Sequence, residues 1–186
     1  MESALLVSGS EKGLQQLKPL LERLSGLQVV PVASGSEARR RLAREEYALA
    51  VINGPLQEEL GQELALWIAE GTACGVVLLL RREEAEELAP RLEEAGVLVL
   101  GKPLNVQALA SGLHLVLAAQ RRLQRLQEQN RQLQDKLEET RLVCRAKCVL
   151  VERRGMSEQE AHRFIEKQAM NHRITRRQVA RELLQE

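Results

Sequence analysis

Little in this chain of 186 residues is equipped for covalent chemistry. A hydrolase or transferase needs a nucleophile, a base and a group that orients the base, and no such constellation appears. Cys74, Cys144 and Cys148 are odd in number and lack metal-ligand spacing, so they read as reduced thiols rather than ligands. His162 and His172 read as surface polar residues. The acidic residues include a single aspartate, Asp135. Cations are unevenly spread. Residues 1–110 carry 11 Lys and Arg against 16 acidic residues, 111–140 carry 5 against 4, and 141–186 carry 11 against 6. An acidic front and a basic tail predict that the tail alone meets a polyanion.

The elements that must position any site in the front are written in its apolar runs. Ala4–Val7, Gln28–Val32, Ala48–Ile52, Val76–Leu80 and Val97–Leu100 read as strands. The patterns over 11–24, 35–46, 57–70 and 83–95 read as helices, with starts at Ser10 and Ser34-Gly35-Ser36 and stops at Gly71 and Gly96. Apolar strands without alternation, separated by helices, predict a five-stranded parallel sheet covered on both faces, a doubly wound α/β domain over 1–112. Ligands of such sheets sit at the carboxyl ends of the strands, where Ser8 and Asn53 offer a small polar pocket for a small molecule.

This layout resembles the flavodoxin-like receiver domain of two-component response regulators. The segment Leu98-Val99-Leu100-Gly101-Lys102-Pro103-Leu104 is similar to the family's last strand and Lys-Pro turn. The resemblance implies an acidic pair for Mg²⁺ after the first strand, an Asp acceptor ending the third, and a hydroxyl residue ending the fourth. Metal and acyl phosphate both need carboxylates. Here Ser8 and Gly9 stand at the acidic pair, Asn53 at the acceptor and Leu80 at the hydroxyl; Lys102 alone is retained, and beside Pro103 it reads as a turn residue. Because Asp135 lies far downstream, no shift of register restores an aspartyl phosphate. The expectation is a receiver-like domain without phosphoryl transfer, metal or cofactor.

From Leu113 to Arg154 the chain is free of Gly and Pro, about 40 residues or about 60 Å of helix. A 3–4 repeat runs through Val116, Ala119, Leu123, Leu126, Asn130, Leu133, Leu137, Thr140 and Cys144. With Val116 at a, Leu126 and Leu133 fall at d and Asn130 at a. One buried Asn at a is costly but pairs with its twin and fixes register in a parallel dimer. Residues 113–140 are therefore expected to form a coiled coil, with Val116, Leu123, Leu126, Asn130, Leu133 and Leu137 in the dimer seam.

Residues 141–186 read as an all-α module of three helices. The long helix stops at Gly155, Ser157-Glu158-Gln159-Glu160 opens a second helix to about Met170, and Thr175-Arg176-Arg177-Gln178 opens a third to about Leu184. Ala161, Phe164, Ile165, Ala169, Val179, Ala180, Leu183 and Leu184 would close a core with Val143, Leu150 and Val151. The segment resembles the ANTAR RNA-binding domain of transcription antitermination regulators. Arg141, Ala146-Lys147, Leu150, Glu152-Arg153, Gly155-Met156-Ser157-Glu158, Glu160-Ala161, Gln168-Ala169-Met170 and Val179-Ala180 carry the match. Cys148 departs from it, standing where the family usually has Gly. The resemblance implies a target of two short hairpins with six-nucleotide loops in a leader transcript, bound so that a terminator hairpin cannot form.

With no exposed aromatic to stack on, Arg planes and polar edges must read the loop bases. The candidates are Arg141, Arg145, Ala146 and Lys147 on the long helix, and Asn171, Arg173, Thr175, Arg176 and Arg177 around the last turn. Arg153 and Arg154 read as partners of a helix C-terminus. A receiver, coil and ANTAR domain in this order implies control by a partner protein that binds the front and coil and masks the tail. Two other readings remain open: a DNA-binding helix-turn-helix with its turn at 171–174, and a structural adaptor. No stretch approaches the roughly 20 apolar residues of a membrane span, and Met1-Glu2-Ser3 lacks a basic leader, so the expected location is the cytoplasm.

Overall fold

The computed structural model describes residues 3–185, and the chain divides after Gln124 into two compact units. In the front unit β1 (Ser3–Ser8), β2 (Gln28–Val32), β3 (Leu49–Asn53), β4 (Gly75–Arg81) and β5 (Val97–Lys102) form one parallel sheet in the order β2-β1-β3-β4-β5. The strands interleave with α1 (Glu11–Ser25), α2 (Gly35–Leu42), α3 (Gln62–Gly71) and α4 (Arg82–Glu94), and α5 (Val106–Arg154) follows. This is the doubly wound five-stranded parallel sheet that the apolar runs predicted, in the order the receiver resemblance implies.

The period of two along each strand divides the core. Leu5, Val7, Ala50, Ile52, Leu78 and Leu80 pack under α2, α3 and α4. Ala4, Leu6, Leu49, Val51, Val77 and Leu79 pack under α1 and the start of α5, whose Leu109, Leu113 and Leu117 are buried. Both faces are covered, so the strands are apolar throughout.

Three boundaries differ from the sequence reading. Helix α2 stops at Leu42, not 46, because the chain turns there to bury Tyr47, whose hydroxyl donates to Glu45 at 2.6 Å. Helix α3 begins at Gln62, not 57. Before it, Leu56 is buried, its N–H donates to Glu59 O at 2.8 Å, and Gly61 holds φ +93°. The third difference is the start of α5. Asn105 caps it, its Oδ1 accepting from the N–H groups of Gln107 and Ala108 at 2.8 and 3.2 Å. Gly112 lies inside α5 because a Cβ there would sit 2.5 Å from Leu98 Cδ2.

Val116 therefore needs correction as a dimer residue. It packs on the front core, and a Cβ on Gly75 would lie 2.4 Å from its Cγ1, so its side chain is committed within its own chain.

The second unit comprises the remainder of α5, α6 (Glu158–His172) and α7 (Arg176–Gln185). Gly155 ends α5 at φ +64°. Ser157 and Glu160 form the expected capping box, and Thr175 and Gln178 exchange the same pair of bonds, at 3.0 and 3.2 Å. Ala146, Leu150, Ala161, Ile165, Ala169, Val179, Ala180 and Leu183 are buried together, with Val143, Phe164 and Leu184 half-buried beside them. Val151, expected in this core, is exposed, because it follows Leu150 round the helix onto the opposite side.

Candidate nucleic-acid interface

At the carboxyl ends of the strands the residues expected in an emptied phosphorylation pocket do come together. Asn53 Nδ2 donates to Ser8 Oγ at 3.0 Å, and Ser8 Oγ donates to Ser10 O at 3.3 Å. Ser8 is buried, and Gly13 leaves the space this network fills, since a Cβ there would stand 2.6 Å from Ser8 Oγ and 2.7 Å from Asn53 Nδ2. Gly9 is held by Gln57, whose Nε2 donates to its carbonyl at 3.2 Å. Leu80 is fully buried in the sheet core. Lys102 Nζ donates to Gly54 O at 2.5 Å, and burial lowers the pKa of its ammonium.

These groups are neutral amide, hydroxyl and carbonyl, already bonded to one another. They do not fit the Mg²⁺ of a receiver, and among the described residues no group of three His, Cys, Asp or Glu is placed to hold a metal. An amide at Asn53 cannot form an acyl phosphate.

The basic unit separates its predicted residues into three kinds. Arg141 and Arg145 are exposed one turn apart on α5, and Asn171 and Arg173 are exposed at the α6–α7 turn. Arg173 takes the left-handed conformation, φ 54°, and its N–H closes α6. Among the described residues Arg141, Arg145 and Arg173 make no salt bridge.

The second kind is paired. Lys147 Nζ meets Glu158 Oε1 at 2.7 Å; the bond raises the lysine pKa and lowers that of the glutamate. Both stay charged through the neutral range. Their contribution is present above the ordinary carboxylate range and below the ordinary lysine range, and is lost beyond either. Arg176 pairs with Glu139 at 3.1 Å and Arg177 with Asp135 at 3.5 Å and with Glu138; Arg181, which the sequence reading did not single out, meets Glu138 at 3.3 Å. These arginines tie α7 to α5, so their charge is partly cancelled. Thr175 spends its side chain on the cap.

The third kind is Ala146. It is fully buried under α6 and α7, and a residue with no exposed surface cannot touch RNA. Its spacing from Val143 and Leu150, three and four residues, was the available signal. The sequence reading also missed the exposed Arg163 and Lys167, which make no salt bridge among the described residues and lie opposite the buried Ala161, Ile165 and Ala169 on α6. The empty polar side of that apolar repeat was their signal. Phe164 is half-buried with the Arg154 guanidinium 5.4 Å from its ring centre, so it is closed to base stacking.

Leu123, Leu126, Leu133 and Leu137 are exposed on α5, with Asn130 between them. No described helix is long and apolar enough to cross a membrane.

Comparison with known proteins bears on both ends of the chain. The family model of the ANTAR domain matches residues 131–184. The transcriptional regulatory protein PdtaR of Mycobacterium tuberculosis is 28% identical over 165 residues, covering 88% of this chain and 80% of its own. The aliphatic amidase regulator of Pseudomonas aeruginosa is 27% identical over 135 residues, 72% of this chain and 69% of its own. Among solved structures, the signal receiver domain of an HD domain-containing protein from Pseudomonas fluorescens Pf-5 is similar at a TM-score of 0.59 and 25% identity, covering 67% of this chain and 92% of that one. A receiver domain protein from Clostridium thermocellum shares the fold at a TM-score of 0.58 and 19% identity, over 66% of this chain and 99% of that one. Residues 131–184 thus match the ANTAR domain, and they follow a domain with the receiver fold.

Proposed function

We propose that the chain is an RNA-binding transcription antiterminator whose ANTAR domain binds paired hairpins in a leader transcript as a dimer. The observation that carries this reading is the three-helix module, which matches the ANTAR model and leaves Arg141, Arg145 and Arg173 without a counter-ion. An unpaired guanidinium bonds phosphate through two N–H groups and stacks on a splayed loop base, both of which suit RNA. The relatives, a transcriptional regulatory protein and an aliphatic amidase regulator, favour control of transcription.

Exposed leucines at coiled-coil spacing around Asn130 favour a parallel homodimer, and two linked modules on two hairpins gain avidity. The neutral, self-bonded pocket of Ser8 and Asn53 favours regulation without phosphorylation, by a protein that binds the front domain and coil and masks the tail in the cytoplasm.

The test is titration of a labelled RNA with two six-nucleotide-loop hairpins, against scrambled loops and duplex DNA at matched salt. Binding should depend on the loops and weaken about tenfold in Arg145→Ala, about 1.4 kcal/mol. Equal weak binding to all three nucleic acids overturns the reading in favour of an adaptor. Preference for the duplex overturns it in favour of a helix-turn-helix regulator.

A further inference from the structure

Two of the three cysteines share one face of α5. Cys144 and Cys148 stand one helical turn apart, offset by about 40° round the axis, so their Cβ atoms are about 5–6 Å from each other. Both are exposed. Cations flank them at the same helical interval: Arg141 and Lys147 on either side of Cys144, and Arg145 one turn before Cys148. Lys147 lies close enough to feel both sulfurs. Its bond to Glu158 is the main cause that raises its pKa, and the charges of Cys144 and Cys148 act in the same direction. Cys148 is also the position at which the chain departs from the ANTAR pattern, so the pair is no part of that pattern.

The separation decides what the pair can do. A disulfide needs Cβ atoms about 3.5–4.5 Å apart, so an intact helix holds these thiols too far apart to join each other. Two metal–sulfur bonds of about 2.3 Å laid end to end span about 4.6 Å, which bridges the gap with each sulfur swung inward. Tetrahedral zinc needs four ligands, and among the described residues no group of three His, Cys, Asp or Glu is placed to hold a metal. His162, which lines a groove with Cys144, Lys147 and Arg176, already faces Glu166 at 3.3 Å. Two thiolates without a third ligand suit a soft cation that is content with linear coordination, and Cu⁺ is the biological ion of that kind.

We propose that Cys144 and Cys148 form a two-coordinate site for a soft monovalent cation of the Cu⁺ class, on the face of α5 beside Arg141 and Arg145. Two thiols and one Cu⁺ give a linear bis-thiolate complex of charge −1 and two protons, which pass to solvent; no electron is transferred. Arg141, Arg145 and Lys147 offset the negative charge of the complex. The site stands on these residues alone and is independent of the RNA and dimer readings.

Anaerobic titration of the reduced full chain with Cu⁺, against the chromogenic chelator bicinchoninate, tests this. Cys74 is set apart from the site, since it is buried in the front core and burial pushes its thiol up to about 12. Cys144→Ser and Cys148→Ser are titrated beside the unaltered chain, with circular dichroism to check that each folds. X-ray absorption at the copper edge counts the sulfur neighbours in the unaltered chain, which tests the site whatever the variants do.

The expected result is one Cu⁺ per chain, bound by two sulfurs and not displaced by excess Zn²⁺. Each serine variant should bind about a hundredfold more weakly, because a single thiol loses the effective concentration of its neighbour. Unchanged affinity in either folded variant overturns the site. So does a shell of three or more ligands, or one Cu⁺ for two chains, which would put the ion between copies rather than along one helix.

Discussion

Asn53 and Ser8 show how small a change disables a phosphorylation pocket. The side chains keep the positions of an acceptor and a metal ligand at the strand ends, yet each is neutral and bonded to the other at 3.0 Å. A single reversion does not rebuild the chemistry, because a lone carboxylate at 53 lacks the acidic pair that Mg²⁺ needs beside it. Asn53→Asp is therefore expected to gain no phosphoryl mass from acetyl phosphate and Mg²⁺, read by intact mass spectrometry. A stable phosphoryl adduct on residue 53 would show that the pocket is not emptied. Lys102, retained from the receiver pattern, is occupied with the Gly54 carbonyl.

Helices α5 and α7 meet through opposite charge as well as apolar packing. Asp135, Glu138 and Glu139 hold Arg176, Arg177 and Arg181, so acidic groups of α5 cover part of the basic face of α7. Exposed pairs of this kind contribute about 0–1 kcal/mol each. In Glu138→Gln/Glu139→Gln the melting temperature should fall by a few degrees while affinity for the hairpin RNA rises several-fold. Its dependence on salt should steepen, by about 0.7 in the log–log slope for each added phosphate contact on a single strand. Loss of RNA affinity in the folded double variant would mean that these arginines serve only to seat α7.

At the scale of the molecule, α5 joins the two units and gives its faces to different tasks. Its first turns cover the sheet with Leu109, Leu113 and Leu117; its later turns bear a bare leucine stripe and then the module core. Asn130 is the polar interruption in that stripe. In the proposed dimer, Asn130→Leu should raise the melting temperature and broaden assembly beyond a single parallel dimer, because an apolar a position no longer selects one register. Sedimentation equilibrium reads this directly. A variant that remains a dimer of unchanged stability would remove Asn130 from the seam.

The sheet, the helix caps and the emptied pocket were legible in the sequence because they rest on one-dimensional properties. Short apolar runs without alternation, a Ser or Thr three residues before Glu or Gln, and the absence of an aspartate before Asp135 need no neighbour to be read. The boundaries of α2 and α3 were not, because Tyr47 and Leu56 turn the chain to reach a core assembled from distant strands. The state of each cation was decided by tertiary structure alone. Arg177 meets Glu138 across 39 residues and Arg176 meets Glu139 across 37, while Arg141 and Arg145, in the same long helix as those glutamates, find no acid among the described residues. Charge is a property of composition, but whether a charge is free to meet RNA depends on which helix packs beside it.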